Sequence, residues 1–280
     1  MTKPEGVEAL LREREAALLA RLDACRSLIV AYSGGVDSAY LAWAAHRVLG
    51  DRALSVTADS ASYPERHRTR ALKLAETFGF NHEIITTDEL ARPQYRANAT
   101  DRCYHCKHEL FTHLTAIARA RGFTAVADGA NADDRGDYRP GRRAAREFGV
   151  VSPLDEAGLT KSDIRELSRR AGLPTWDEPA SACLSSRIPY FSEVTEAKLH
   201  TIEQAEEALR ALGFRILRVR HHGDVARIEL AREEMSRALD PEIAAAIDRA
   251  MRAAGFKFAA LDLRGYRLGS LNEGVTLQLV

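Results

Sequence analysis

The 280-residue sequence has no excess charge of either sign, because 40 basic side chains balance 40 acidic ones. A protein that binds nucleic acid through a basic face usually has such an excess, so balanced charge argues against that class. No apolar run approaches the roughly 18 residues of a membrane-spanning helix. The N-terminal segment is charged throughout and lacks the apolar core of a signal peptide. We therefore expect a cytoplasmic protein whose partners include neither a membrane nor nucleic acid.

Cysteine is also scarce, with four residues in the whole chain. In a reducing compartment, cysteines are more often metal ligands or catalytic groups than disulfide partners. Cys25 precedes the first predicted strand, and we expect it to be an inert, partly buried thiol. Cys103, Cys106 and Cys183 remain as candidates for chemistry.

The order of apolar segments predicts two domains. Up to about residue 185, short apolar runs alternate with helical segments, which is typical of βαβ units and a mostly parallel sheet. The predicted strands of this part are 27–32, 53–57, 83–86, 124–127 and 149–153. Consecutive strands follow at 216–220 and 227–230. We predict an α/β nucleotide-binding domain over residues 1–185 and a smaller α+β domain over 186–280, for substrate binding or oligomerisation.

The motif SGGVDS lies between the first predicted strand and a helix. Glycines let the backbone approach an anion and adopt positive φ, and the helix N-terminus offers free N–H donors. A tight turn with an N-cap serine is the alternative, but it explains the two serines and the aspartate less well. The motif is not a GxxxxGK[ST] loop, because no lysine follows. We assign phosphate binding to Ser33, Gly34, Gly35, Asp37 and Ser38.

Two further polar segments follow predicted strands, where ligands of open α/β sheets bind. Thr57 ends the second strand and is expected to border adenine and ribose. The segment DGANADD follows the fourth strand, and its adjacent carboxylates suit a hydrated Mg²⁺ ion. A solvated turn is the alternative for this segment. Its predicted ATP-binding residues are Gly129, Asn131 and Asp134.

The segment CYHCK contains a CxxC motif, Cys103 to Cys106, which is ambiguous by itself. It is compatible with a redox-active pair, with a zinc site completed by His105 or His108, and with part of an iron–sulfur site. Spacing alone leaves these alternatives open.

Five segments together resemble the LarE family: SGGVDS, CYHCK, DGANADD, PASACLSSRIPY and GYRLGSLNE. The resemblance spans nearly the whole chain. It implies the PP-loop ATP pyrophosphatase fold, of the adenine nucleotide alpha hydrolase-like type. LarE enzymes are ATP-dependent sulfur transferases of nickel-pincer nucleotide cofactor biosynthesis. The implied reaction adenylates a carboxylate of pyridinium-3,5-biscarboxylic acid mononucleotide, releases AMP and pyrophosphate, and leaves a thiocarboxylate.

The resemblance implies two possible sulfur sources. In some members one cysteine, matching Cys183, gives up its sulfur and becomes dehydroalanine. In others three cysteines, matching Cys103, Cys106 and Cys183, hold a [4Fe-4S] cluster. We favour the cluster, because all three cysteines are present and three thiolates leave one iron open where four are usual. Lys107 is then expected to neutralise charge on a phosphate or the adenylate.

Arginine is the expected ligand of the substrate phosphate, since its guanidinium makes bidentate contacts with phosphate. Arg187 follows Cys183, while Arg218 and Arg220 alternate on one predicted strand. A solvated strand face is the alternative for that pair. Glu229, on the facing strand, is a candidate ligand for a divalent ion or a partner of these arginines. The resemblance also implies a homo-oligomer, with a hexamer as one possible form.

Two other function classes compete with this interpretation. A tRNA thiolation enzyme of the same superfamily would need a basic RNA-binding face, and salt-sensitive RNA co-purification would reveal it. A nucleotide- or metal-binding regulator would release no pyrophosphate. The balanced charge and the combination of motifs favour the small-molecule enzyme.

Overall fold

The computed structural model describes residues 5–136, 140–179, 182–267 and 269. The helices, in chain order, are α1 (Glu5–Ala24), α2 (Val36–Leu49), α3 (Glu65–Phe78), α4 (Pro93–Arg96), α5 (Arg102–Arg121), α6 (Gly141–Glu147), α7 (Pro153–Glu156), α8 (Lys161–Arg170), α9 (Glu196–Ala211), α10 (Met235–Ala238) and α11 (Pro241–Ala253). The strands are β1 (Leu28–Ala31), β2 (Ala53–Asp59), β3 (His82–Thr86), β4 (Ala125–Ala127), β5 (Leu217–His222), β6 (Val225–Leu230) and β7 (Phe258–Leu261). Within these described ranges, no helix is long and apolar enough to cross a membrane.

The chain forms two compact units. Among the described residues, unit 1 holds 5–87 and those between 103 and 179, and unit 2 holds 88–102, 182–267 and 269. The sequence analysis placed all of 1–185 in one domain, whereas the structure groups 88–102 with the second unit. The side chain of Asn98 shows the reason, because its amide donates to the carbonyl oxygens of Pro189 at 2.8 Å and Ser192 at 2.9 Å.

The sheet of unit 1 has the order β3-β2-β1-β4, and all its pairs are parallel. This confirms the predicted α/β class with a parallel sheet. The predicted fifth strand is wrong, since Val151 makes only a single parallel bridge to Ala127. Helices cover both faces of the sheet, which explains why β1 is buried along its whole length and reads as an apolar run.

One covering layer consists of α1, α2 and α8, whose buried side chains include Leu18, Tyr40 and Ile164. The other layer includes α5, which packs Phe111 and Leu114 against Ile29 of β1. The sequence analysis assigned no element where α8 lies. This helix begins with a capping box, in which the Thr160 hydroxyl and the Asp163 carboxylate accept each other's backbone N–H. The T-x-x-D pattern was the signal that could have found it.

Unit 2 confirms the predicted α+β character. β5 and β6 form an antiparallel hairpin that pairs Arg218 with Glu229, and β7 adds to β6 in parallel. α9 and α11 pack on this three-stranded sheet through a separate apolar core that includes Leu209, Ile228 and Met251.

Candidate functional site

The carboxyl edge of the unit 1 sheet has a topological switch point between β1 and β4. The chain runs from β1 to β2 and β3 on one side, and β4 lies on the other side of β1. The loops after β1 and β4 therefore meet, and such a crevice is the usual ligand site of an open α/β sheet. Gly129 permits this approach, since a Cβ there would lie 3.2 Å from the backbone nitrogen of Ser38.

The SGGVDS loop is held in one shape by its own side chains and by α3. Gly34 has φ of 63°, and a Cβ on it would lie 3.0 Å from Cβ of Ala71. The Ser33 backbone N–H donates to Oγ of Ser38 at 3.1 Å, and that hydroxyl donates to the Gly35 carbonyl at 3.2 Å. Nε of Arg70 donates to the Gly34 carbonyl at 3.1 Å. A side chain at position 34 would push this loop away from α3, so the observed loop shape depends on the glycine. Its binding of an anion stays a prediction.

Asp37 of this loop joins it to the β4 loop and to α8. The amide of Asn131 donates to Oδ1 of Asp37 at 3.4 Å, and Nζ of Lys161 pairs with Oδ2 at 2.5 Å. The backbone N–H of Lys161 donates to Asp133 at 2.8 Å. The structure thus brings the two predicted segments together, and it adds Lys161, which the sequence analysis missed together with helix α8.

The rest of the β4 loop is fixed by short-range hydrogen bonds. Oδ1 of Asp128 accepts from the Ser152 hydroxyl at 2.8 Å, and Oδ2 of Asp134 accepts from the Asn131 backbone N–H at 3.1 Å. Mg²⁺ usually binds through one or two carboxylates, with water and the phosphate oxygens of a substrate completing its shell. The partly exposed Asp37 carboxylate is a ligand of this kind, so it fits a Mg²⁺ ion that arrives with a nucleotide.

Thr57 has a different environment from the one expected. It is buried in β2, and its hydroxyl donates to the Tyr32 carbonyl at 2.8 Å and lies 2.8 Å from Nε2 of His82. Burial lowers the pKa of His82, so the imidazole is held neutral beside the hydroxyl. The structure gives the Thr57 hydroxyl a packing role, and its contact with the nucleotide stays a prediction.

The CxxC motif lies at the start of α5, where Cys103 is the second residue of the helix and Cys106 the fifth. Cys103 is exposed and Cys106 is half-buried, and their i, i+3 spacing sets both thiols on one face of the helix. Such a pair fits two ligands of an iron–sulfur cluster or of zinc. Among the described residues, no three His, Cys, Asp or Glu side chains are grouped so as to hold a metal ion. Cys25 is a half-buried free thiol whose pKa is raised by burial, in line with an inert role.

Lys107 extends along α5 over an aromatic ring. Its Nζ lies 5.3 Å from the ring centroid of Phe111, a cation–π contact. A Cβ on Gly141 would lie 3.0 Å from Cγ of Lys107, so the glycine lets α6 approach this side chain. Its predicted contact with phosphate or adenylate stays a prediction.

In unit 2, Cys183 precedes a single 3-10 turn, Leu184–Arg187, and is half-buried. The buried guanidinium of Arg187 donates to the carbonyl oxygens of Ala182 at 2.8 Å and Cys183 at 2.9 Å. Its other nitrogens make a bidentate pair with Glu206 at 2.8 and 3.0 Å. Although burial opposes both charges, their mutual attraction raises the pKa of Arg187 and lowers that of Glu206. Arg187 therefore holds the cysteine segment, and a substrate-phosphate contact stays a prediction.

The hairpin carries the other predicted phosphate ligands. Arg220 pairs with Glu229 at 2.8 Å and donates to the Ser186 carbonyl at 2.7 Å. Glu229 is fully buried and also pairs with Arg227, so of the two predicted roles the structure shows arginine pairing. Burial and the neighbouring charge of Arg187 lower the pKa of Arg218 to about 10. A bound anion beside Arg218 would stabilise its charged form and raise its pKa again.

Parts of two quoted motifs lie outside the described residues. These are Ala180 and Ser181 of PASACLSSRIPY, and Leu268 and residues 270–273 of GYRLGSLNE. Within the described part of the second motif, the Tyr266 ring lies 5.3 Å from the guanidinium carbon of Arg218.

Several known proteins resemble this chain over most of its length. The asparagine synthase family profile matches residues 9–258. An uncharacterised protein of Synechocystis is 43% identical over 248 residues, which are 89% of this chain and 92% of that protein. The pyridinium-3,5-bisthiocarboxylic acid mononucleotide synthase of Lactiplantibacillus plantarum is 37% identical over 269 residues, 96% of this chain and 97% of that enzyme. An uncharacterised protein of Methanocaldococcus jannaschii is 29% identical over 242 residues, 86% of this chain and 91% of that protein.

Proposed function

The chain belongs to the asparagine synthase family and, within it, to the LarE family of ATP-dependent sulfurtransferases. On that premise, we propose that it converts a carboxylate of pyridinium-3,5-biscarboxylic acid mononucleotide into a thiocarboxylate. The supporting observation is that Asp37 of the SGGVDS loop is linked to Asn131 of the β4 loop at the switch point of the sheet. This is where an ATP-using enzyme of this fold needs both anion donors and carboxylates.

In the first step, a carboxylate oxygen of the substrate attacks the α-phosphorus of ATP. The bond between that phosphorus and the α–β bridging oxygen breaks, and pyrophosphate leaves. Ser33, Ser38 and the backbone of the glycine-rich turn would bind the leaving pyrophosphate, because they present donors at a helix N-terminus. Asp37 would hold Mg²⁺, which supplies positive charge against the phosphates. The product is a mixed anhydride of the carboxylate and AMP.

In the second step, a sulfur nucleophile attacks the acyl carbon of this anhydride. The bond from carbon to the AMP oxygen breaks, so that AMP leaves and carries away one oxygen of the original carboxylate. Sulfur must be present as thiolate or hydrosulfide, since the protonated thiol is a weak nucleophile. Adenylation is needed because an unactivated carboxylate would have to expel an oxide ion.

We favour a [4Fe-4S] cluster held by Cys103, Cys106 and Cys183 as the route of the sulfur. When bound, it would supply a renewable sulfur nucleophile. Cys103, which is exposed, and Cys106, which is half-buried, lie on one face of α5, and this supports two of these ligands. In the alternative, the Cys183 thiolate attacks the acyl carbon, and loss of its Cα proton breaks its own Cβ–S bond. That reaction leaves dehydroalanine and permits one turnover.

For the substrate phosphate we propose Arg187, Arg218 and Arg220 as ligands, since a guanidinium makes bidentate contacts with phosphate. Arg218 and Arg220 alternate on β5, so both lie on one face of that strand. We also propose a homo-oligomer, which light scattering of the purified protein would test.

The proposed reaction is tested by incubating the protein with ATP, Mg²⁺ and pyridinium-3,5-biscarboxylic acid mononucleotide under anaerobic conditions with sulfide. We expect AMP and pyrophosphate to form only with the nucleotide present, together with a product in which sulfur replaces one carboxylate oxygen. Pyrophosphate release without any thiocarboxylate would contradict the sulfur-transfer step and leave only the adenylation step.

The sulfur route is tested by the mass of the protein before and after one turnover. If the sulfur passes through a cluster, the mass of the protein should be unchanged after one turnover. The Cys103→Ala and Cys106→Ala variants should then lose iron and sulfur transfer but keep adenylation. With sacrifice, the protein becomes lighter by about 34 Da, the mass of the H₂S lost, which is distinct from any step of cysteine oxidation. That mass loss, with activity retained in the two α5 variants, would rule out the cluster.

A further inference from the structure

The chain segment that leads into Cys103 is bonded to the segment that follows Cys183. Arg102, the first residue of α5, directly precedes Cys103, and Ser185 lies two residues after Cys183. Nη1 of Arg102 donates to the Ser185 carbonyl oxygen at 2.9 Å. Both residues belong to unit 2, where Arg102 is 3% exposed and Ser185 is fully buried. One buried guanidinium therefore ties together chain positions that neighbour two of the candidate cysteines.

Two further side chains of the segment before α5 take part in this contact. The Tyr95 hydroxyl lies 2.6 Å from Oγ of Ser185. The side-chain oxygen of Asn98 accepts a hydrogen bond from the Arg102 guanidinium, and its amide donates to the Pro189 carbonyl at 2.8 Å. We refer to Tyr95, Asn98 and Arg102, which are all buried, as the clamp.

The clamp is too polar to be explained by core packing alone. Burying a polar side chain costs free energy unless it is hydrogen-bonded, whereas apolar side chains fill a core without that cost. A hydrogen-bonded buried network instead specifies one arrangement of the groups that it joins. Here those groups include the backbone beside Cys183, whose own carbonyl accepts from Arg187 at 2.9 Å. Arg102 and Arg187 thus hold two carbonyl groups of the Cys183 segment, two residues apart.

We propose that Arg102, together with Tyr95 and Asn98, is a positioning residue for sulfur transfer, which keeps the Cys183 segment where sulfur can reach the acyl-adenylate. The inference rests on the proposed function, and it applies to both sulfur routes because Cys183 takes part in each. Without the clamp, the adenylate should still form but meet no sulfur. Water then attacks its acyl carbon, the bond to the AMP oxygen breaks, and the original carboxylate returns with free AMP.

The first test is the amount of thiocarboxylate formed per AMP in one turnover of the full-length protein. Arg102→Met should lower this ratio about tenfold, because small misplacements of reacting groups cost one to two orders of magnitude in rate. Tyr95→Phe removes one hydroxyl and should lower it less, while Arg102→Lys should recover part of the loss. Misfolding would reduce both products together and leave the ratio unchanged. Arg96→Met is the matched control, since Arg96 is exposed and pairs with Glu193 at 3.6 Å.

The second test needs neither a cluster nor substrate, because it measures alkylation of each cysteine by iodoacetamide in cluster-free protein, with peptide mass mapping. Cys183 is half-buried, and loosening its segment in Arg102→Met and Tyr95→Phe should make its alkylation several-fold faster. Cys25, which is half-buried in unit 1, is the internal reference and should keep its rate.

A wild-type product ratio in folded Arg102→Met and Tyr95→Phe would overturn the proposal. Alkylation of Cys183 that is unchanged, or that rises only as much as that of Cys25, would overturn it as well. If the wild type itself forms no thiocarboxylate, the proposed function fails, whereas the alkylation rates still decide whether the clamp holds Cys183.

Discussion

The two units differ in how exposed their main ion pairs are to solvent. In unit 1, the Asp37–Lys161 pair is about one quarter to one third exposed and lies at the edge of a sheet. In unit 2, Arg187 and Glu206 are almost fully buried, at 2% and 5% side-chain exposure, and make a bidentate contact. Breaking a buried pair leaves an unpaired charge in a low dielectric, whereas exposed pairs contribute little to stability. The first pair is therefore accessible to a ligand, whereas the second pair is expected to stabilise the fold of unit 2.

The largest effect is expected when the Asp37 carboxylate is removed. Asp37→Ala should lower pyrophosphate release by about 10³-fold, because the site loses the charge that holds Mg²⁺ against the phosphates. The thermal midpoint should stay close to the wild type, since the pair is partly exposed. Assays of AMP and pyrophosphate on the folded variant measure this. Asp51→Ala, at an exposed aspartate, is the control, and near-normal release by Asp37→Ala would exclude the loop as the ATP site.

The SGGVDS loop could be predicted from the sequence and the Arg187–Glu206 pair could not, because the loop is one continuous segment and the pair joins separate elements. The SGGVDS loop is a continuous segment that follows an apolar run, and its two glycines are evident in the sequence itself. The Arg187–Glu206 pair joins residues 19 positions apart on different elements, so no local pattern announces it. The sequence analysis missed Lys161 because it predicted no helix there: α8 has many polar residues, and its capping box was not recognised.

Stability should fall most when the buried pair of unit 2 is broken. Glu206→Ala leaves the Arg187 guanidinium buried without its carboxylate, and we expect a loss of about 3–5 kcal/mol in the free energy of unfolding. Urea titration measures the loss. Glu207→Ala is the matched control, because the neighbouring Glu207 is exposed and pairs with Arg210 at 3.2 Å. Equal stability of the two variants would contradict the architectural role, and Glu206→Gln replaces the alanine variant if it is insoluble.

The same pair makes a prediction about pH. Although burial opposes it, the positive charge of Arg187 lowers the pKa of Glu206 to about 2 from its usual value of 4.5. A lowered folded-state pKa means that the stabilisation is present above pH 4.5 and is lost as the pH falls towards 2. The stability difference between wild type and Glu206→Gln should therefore shrink across that window. A difference that stays constant with pH would contradict the ionised pair.

A smaller effect is expected from closing the space beside the SGGVDS loop. Gly34 and Gly79 have similar left-handed φ values, 63° and 68°, but only Gly34 would place a Cβ against another residue, at 3.0 Å from Ala71. Both alanine variants should lose about 1 kcal/mol from backbone strain. Gly34→Ala alone should reduce pyrophosphate release, because the loop must shift away from α3. Equal activities of the two variants would show that the close packing at Gly34 has no role.

The smallest effect is expected from removing one helix cap in each unit. Thr160 caps α8 and Thr195 caps α9, and each hydroxyl accepts a backbone N–H. Thr160→Ala and Thr195→Ala should each cost about 1 kcal/mol in stability. Only Thr160→Ala should raise the KM for ATP, since it loosens the helix end that carries Lys161. Steady-state kinetics measures the KM for ATP of both variants. Equal values would show that the α8 cap has no role in ATP binding.

The central claim is that unit 1 activates a carboxylate by adenylation, and the fate of the carboxylate oxygen tests it most directly. The nucleotide substrate is labelled with oxygen-18 in its carboxylates and incubated with the enzyme, ATP, Mg²⁺ and sulfide in unlabelled water. The account predicts that each AMP formed together with a thiocarboxylate carries one oxygen-18 on its phosphate, detected by mass spectrometry. Unlabelled AMP accompanying the thiocarboxylate would contradict adenylation and would require a different activation of the substrate.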